Sequence, residues 1–151
     1  MSVEVRTIKE EDIAQAWELM KGLAIFEDYI GTFVITPELV KQKMFKEKVA
    51  NCLVADVDGE IAGILVYFFQ QYTAQNKPYM HMKELFVKEG FRGQKIGTKL
   101  IQKAKEVAKE HGCWNIKWTV ADWNTKAKEF YKKQGAEEDR VWLNYAIKID
   151  C

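Results

Sequence analysis

The sequence predicts a single-domain α/β fold, a mixed and mostly antiparallel sheet with helices on both faces. Three observations carry that expectation. Asp58-Gly59 sits between two apolar runs, the signature of a tight hairpin. The run Ile64–Phe69 is apolar on both faces, as a central strand covered from each side must be. From about residue 79 onward, strand-like and helix-like patterns alternate, which implies crossover units feeding the same sheet. At 151 residues the chain suits one domain with a substantial core.

Each element can be read in order. Val3–Thr7 alternates as a short strand. Ile13, Trp17, Met20, Leu23 and Ala24 then share one helical face, with Thr7 and Glu10 at capping-box spacing before them. Thr36-Pro37 opens a second helix whose inward residues are Leu39, Val40, Met44 and Phe45. The hairpin strands cover Asn51–Val57 and Glu60–Gln71, and a further strand runs from about Tyr79 to Val87. A third helix extends from Ile96 to His111 and closes at Gly112. Asn115–Ala121 reads as a strand, Asn124–Gln134 as a helix capped by Asn124 and closed by Gly135, and Val141–Ile149 as a final alternating strand.

Composition narrows the function. Hydrophobic residues make up 48% and aromatic residues 13%, as expected of a packed protein rather than a disordered one. A formal charge of +1 gives no ground for broad nucleic-acid or membrane binding. No signal peptide and no transmembrane-length apolar run is seen. Cys52, Cys113 and Cys151 show no metal-ligand spacing, and His81 and His111 stand alone, so no metal is expected. Free or buried thiols favour a reducing compartment, hence the cytoplasm.

The stretch FRGQKIGTKL at 91–100 places Arg92, Gly93, Lys95 and Gly97 where the third helix begins. A helix start offers unpaired N–H groups and a partial positive charge, and glycine lets the main chain approach a ligand closely. These are the parts of a pyrophosphate cradle. They also suit a plain turn with solvated charges.

The stretch ELFVKEGFRGQKIG resembles the strand-loop-helix signature of the GNAT superfamily of acyl-CoA-dependent N-acyltransferases. VADWNTKAKEFYKKQGA is similar to the matching segment of the diamine (spermidine/spermine) acetyltransferases, and LAIFED and IKID are also similar. Lys95 departs from the pattern, standing where the superfamily has its first motif glycine; main-chain contacts survive that change if the local φ is negative.

The resemblance implies acetyl-CoA as co-substrate. Leu85, Phe86 and Val87 would bind its pantetheine arm through the main chain, as an added strand does. Arg92, Gly93, Gln94, Lys95, Ile96, Gly97 and Thr98 would hold the pyrophosphate. Asn124, Lys126, Ala127 and Tyr131 would contact the coenzyme from the last helix. Tyr131 is the expected proton donor to the departing thiolate, or else a core tyrosine. Glu84 is the expected base acting through water, or else an exposed strand charge. Asn124 could serve as helix cap, ligand contact or both. No cysteine is placed as an acyl carrier, so direct attack in a ternary complex is expected.

Phe26 and Glu27 match a pair that helps bind cationic substrate in the diamine enzymes. Lys83 stands where those enzymes carry a second carboxylate. Facing the site, it would reject a polyamine and favour a lysine-like or thialysine-like amino acid; facing away, it would leave the polyamine reading intact. The partner is thus a small-molecule amine, and a homodimer is possible. Protein or peptide acetylation, a non-enzymatic acetyl-CoA sensor and a plain interaction domain are the rival readings.

Overall fold

A computed structural model describes residues 2–150; Met1 and Cys151 lie outside the described residues. The chain divides into two compact units, one running to Thr119 and the other starting at Val120.

The first unit holds β1 (Val3–Thr7), α1 (Ile13–Phe26), α2 (Pro37–Lys41), β2 (Asn51–Val57), β3 (Glu60–Tyr72), β4 (Lys77–Val87), α3 (Ile96–Glu110) and β5 (Ile116–Lys117). The five strands lie in chain order, all antiparallel except the β4–β5 pair. The β2–β3 turn has Asp58 at φ +52° and Gly59 at φ +93°, the left-handed pair a two-residue hairpin demands. Helix α1 does not start on the Thr7–Glu10 box. A 3₁₀ turn at Glu10–Asp12 precedes it, and the Asp12 carboxylate reaches back to accept from the Lys9 N–H at 2.8 Å. Helix α2 continues as a π-helical turn at Gln42–Lys46, which carries Met44 into the core and leaves Leu39 exposed.

The sheet separates two packed faces. On one, Ile64, Val66, Cys52 and Val54 meet Ala16, Leu19 and Met20 of α1 and Val40 of α2. On the other lie Ile96, Leu100, Ile101 and Ala104 of α3, all buried. Gly63 of β3 sets their distance: a Cβ there would come within 3.1 Å of both Ile96 Cγ2 and Leu100 Cδ1. The helix start thus rests directly on backbone. Arg6 pins the other helix, with one amino group 2.7 Å from Asp12 Oδ2 and the other 2.9 Å from Asp56 Oδ2. Asp12 is only 4% exposed, so this pair is held largely out of water.

Two expected strands are corrected. Asn115–Ala121 shrinks to the two residues of β5, clamped where the Lys117 ammonium lies within 4.9–5.5 Å of the Tyr72, Tyr79 and Trp114 rings. Val141–Ile149 forms no strand; its apolar side chains Val141, Trp142, Leu143, Tyr145, Ile147 and Ile149 are between 73% and 91% exposed. Alternation declares a strand but not its partner, and a strand needs a partner edge. The second unit contains α4 (Thr125–Lys133), capped by Asn124 Oδ1 accepting from the Ala127 N–H at 3.2 Å.

Candidate active site

The site begins with a break in register on β4. Val66 pairs with Glu84, whereas its neighbour Tyr67 pairs with Met82, so Lys83 is an extra residue in a β-bulge. Paired residues share a face, and adjacent residues on β3 do not. Met82 therefore lies on the α3 face and Glu84 on the α1 face, beside Val66 and Cys52. In an unbulged strand, Glu84 would follow Met82 onto the α3 face. Because Lys83 is bulged out rather than paired, the carboxylate lies on the α1 face instead.

That carboxylate is half-buried, and burial pushes its pKa above the ordinary range, with Glu27 raising it further and Lys83 opposing. No hydrogen bond or ion pair engages it among the described residues. Lys83 itself is exposed; nearby, burial lowers the His81 pKa and the Lys83 charge adds to that. Tyr29, half-buried just beyond the end of α1, has its phenol pushed up to about 12 by burial and by the charges of Glu84 and Glu27. Sequence reasoning missed Tyr29, and no period or motif marks it. Cys52 is fully buried and its thiol is driven far up by burial, while burial also raises Cys113; neither is poised as a nucleophile.

The short β5 leaves a free edge beside the bulge. Beyond the Met80–Ile116 and His81–Lys117 pairs, no described strand borders the outer side of β4. Lys88 N–H donates to Ala62 C=O at 2.7 Å, so the alternating ladder turns the main-chain groups of Glu84 and Phe86 towards β3. Those of Leu85 and Val87 face outward. Phe86 is used differently from its neighbours: its ring lies 3.0 Å from where a Gly22 Cβ would stand, letting α1 press onto β4.

Arg92 closes the strand's end. Its Nε donates to Val87 C=O at 3.0 Å, and its guanidinium lies over the rings of Phe86 (5.3 Å) and Phe26 (6.0 Å). Gly93 follows at φ +81°, with open space where a Cβ would be, and Gln94 is exposed. Lys95 does not take the negative φ on which survival of its main-chain contacts was made conditional: it sits at φ +63°, ψ +22°, left-handed, as the residue before α3, and so keeps the backbone a glycine would give. The helix needs a left-handed entry here, and a lysine occupies it at a cost of about 1–2 kcal/mol. The first main-chain bond of α3 is Lys99 N–H to Lys95 C=O, so the N–H groups of Ile96 and Gly97 precede the ladder; Thr98 is half-buried in the same turn. No side chain caps that end. This donor set, with Lys95 and Arg92 beside it, fits a phosphate-bearing ligand.

In the second unit, Tyr131 is half-buried on α4 with its ring edge-on to Phe130 at 5.5 Å. Lys126 is exposed, and the Ala127 N–H is taken by the Asn124 cap. Among the described residues, no group of three or more His, Cys, Asp or Glu side chains could hold a metal ion. No described helix is long and apolar enough to cross a membrane.

A sequence model described as the Acetyltransferase (GNAT) family matches residues 17–136. The chain belongs to the GNAT acetyltransferase family. Among its relatives, thialysine N-epsilon-acetyltransferase of Mus musculus is 32% identical, covering 97% of this chain and 93% of that one. The Sus scrofa enzyme of that name is 33% identical, covering 91% and 85%. An integron cassette protein of V. cholerae shares the fold with a TM-score of 0.82 at 23% identity, covering 99% of this chain and 94% of that one. The acetyltransferase fold therefore accounts for the first unit's mixed five-stranded sheet with helices on both faces.

Proposed function

We propose that this acetyltransferase moves the acetyl group of acetyl-CoA to the side-chain amine of a lysine-like or thialysine-like amino acid. The observation that carries this reading is the β4 bulge, which sets an exposed ammonium, Lys83, beside a half-buried carboxylate, Glu84. A zwitterionic substrate complements such a pair: its reacting ammonium is drawn to the Glu84 side and its carboxylate to Lys83. The names of the mouse and pig relatives point the same way.

The coenzyme is assigned to the open β4 edge and the start of α3. Leu85 and Val87 offer outward main-chain groups to the pantetheine amides. Gly93 to Thr98, with Arg92 alongside, receive the phosphates. The acceptor reaches the enzyme as an ammonium with a pKa of about 10. Glu84 takes a proton from it, through water, and the free amine attacks the thioester carbonyl. The C–N bond forms, the C–S bond breaks, the departing sulfur takes a proton from Tyr131, the role the family resemblance assigns it, and the second proton lost by the nitrogen restores that phenol. The raised Cys52 thiol supports direct attack over an acetylated cysteine. The family resemblance also assigns Asn124, Lys126 and Ala127 of α4 to the coenzyme, and the whole chain to one acetyltransferase domain.

A second reading has one observation behind it: the charge of Glu27 reaches Glu84, adding to the burial that raises it, and paired carboxylates suit a diamine. Acetylation rates with thialysine, lysine, putrescine and spermidine separate the two. We expect thialysine to lead, and Lys83→Glu to shift preference towards the diamines. No turnover with any of the four overturns the small-amine reading. We also assign a cytoplasmic homodimer, supported by the exposed apolar residues of Val141–Ile149; sedimentation at monomer mass would refute the dimer.

A further inference from the structure

One of the two outward-facing residues at the free end of β4 is already engaged. The Val87 C=O, assigned above to a pantetheine amide, accepts from Arg92 Nε at 3.0 Å. A donor lies roughly along a lone-pair direction of its carbonyl, so the guanidinium stands on the outer side of β4, where the pantetheine arm would run. It also lies over the Phe86 ring at 5.3 Å and the Phe26 ring at 6.0 Å. Phe86 is fixed in turn by α1, because Gly22 leaves room for its ring: a Cβ there would stand 3.0 Å from Phe86 Cε2.

All of these partners are neutral. Among the described residues no carboxylate pairs with the exposed Arg92, whereas Lys88, just after β4, holds Glu60 at 2.7 Å. A cation resting on one carbonyl and two ring faces at an exposed site is held weakly. A phosphate offers the same guanidinium an opposite charge and two parallel N–H···O bonds. The start of α3 follows Gly93, Gln94 and Lys95, so phosphates docked on the Ile96 and Gly97 N–H groups would compete with Val87 for Arg92.

Resting on the coenzyme reading above, we propose that Arg92 is a specificity-determining latch. It covers the Val87 carbonyl until the coenzyme's phosphates draw it away, and so it disfavours thioesters that lack them. An acyl-pantetheine without the diphosphate has to displace the arginine and brings nothing to attract it elsewhere. Acetyl-CoA brings the displacing charge on the same molecule. One side chain thus opposes the arm and welcomes the phosphates, and its removal must shift the two kinds of thioester in opposite directions. A simple phosphate anchor would leave the phosphate-free thioester unaffected.

The test uses the full chain with acetyl-CoA, S-acetylpantetheine and inorganic pyrophosphate, thialysine being the acceptor. Turnover gives KM, and calorimetry with CoA and pantetheine gives Kd whichever amine is the true acceptor. Arg92→Met keeps an unbranched stem without donor or charge, and at this exposed position the melting temperature should stay at the wild-type value. In Arg92→Met we expect KM for acetyl-CoA and Kd for CoA to rise about tenfold, the loss of a charge-assisted contact. KM for S-acetylpantetheine and Kd for pantetheine should instead fall about threefold, the loss of one competing hydrogen bond. Pyrophosphate should lower the wild-type KM for S-acetylpantetheine by a similar factor and do nothing in Arg92→Met. Pantetheine binding that is unchanged or weaker in Arg92→Met, with CoA still weakened, overturns the latch and leaves the acetyl-CoA reading standing. Pyrophosphate activation that survives in Arg92→Met also overturns it, because the effect would then belong to the start of α3. Failure of CoA to bind the wild type or the variant sinks the acetyl-CoA reading, and the latch falls with it.

Discussion

The two halves of β4 make an instructive contrast. From Lys77 to Met82 the strand pairs with β3 and, at Met80 and His81, with β5 as well, and Met80 and Met82 are buried. From Glu84 to Val87 it has a neighbour on one side only among the described strands, and its half-buried side chains include an ionisable one. Two things differ in construction: β5 stops at Lys117, and Lys83 is bulged out of the β3 ladder. A regular ladder satisfies every main-chain group and so has nothing left to offer a ligand. A bulge ends that saturation locally, and it turns a carboxylate towards a different neighbour at the same point.

The sharpest way to break the contrast is to remove the insertion. Deleting Lys83 restores alternation with Glu84 still opposite Val66 on the α1 face, so the carboxylate keeps its place while the kink and the ammonium are lost; acetylation of thialysine should fall by about 10²-fold, checked by steady-state turnover beside a circular-dichroism melt. Glu84→Gln keeps the geometry and removes the base. Turnover should drop about 10²-fold or more, and the acidic limb of the rate–pH profile, lying above the ordinary carboxylate range in the wild type, should disappear. The sign for stability is opposite. Because the folded pKa is raised, ionised Glu84 destabilises the fold as pH rises through that window, so Glu84→Gln should melt higher at neutral pH.

The structural half of the sheet is tested at its helix anchors. Asp12→Asn leaves Arg6 without its buried partner and should cost about 3 kcal/mol in denaturant unfolding. In the wild type the Asp12 pKa is lowered, by Arg6 above all, so this stabilisation is present above the unfolded value of about 3.9. It is lost as pH falls through the folded value. Gly63→Ala presses a methyl against Ile96 and Leu100 and should cost about 1–2 kcal/mol while weakening coenzyme binding, since α3 must lift. Smallest is Lys95→Gly, which relieves a left-handed lysine and should stabilise the fold by about 1 kcal/mol while lowering coenzyme affinity.

Features set by local chemistry were legible in the sequence. Asp58-Gly59 dictated its turn, and the amphipathic face of α3 predicted its buried residues from Ile96 to Ala104. Features set by pairing were not. A bulge is a mismatch between two strands, so Lys83 carries no mark of it in the sequence of β4 alone. The length of β5 is decided by where a neighbouring edge diverges, and the alternation of Val141–Ile149 names no partner. Lys95 misled because residue type argues against a positive φ, whereas the entry to α3 imposes it. Tyr29 was invisible because its burial and the charge of Glu84, which raise its phenol, come only with tertiary structure.

Arg92 has a last implication. One guanidinium spans Val87 at the strand's end, Phe86 beneath it, and Phe26 on the helix that ends beside Glu27. Any anion that tugs this arginine is felt at Phe26, and any ligand that shifts Phe26 is felt at the arginine. Thermodynamic linkage makes such communication symmetrical: the factor by which coenzyme tightens the amine must equal the factor by which the amine tightens coenzyme. Two titrations run in opposite order would give that factor twice, and Arg92→Met should bring it to unity.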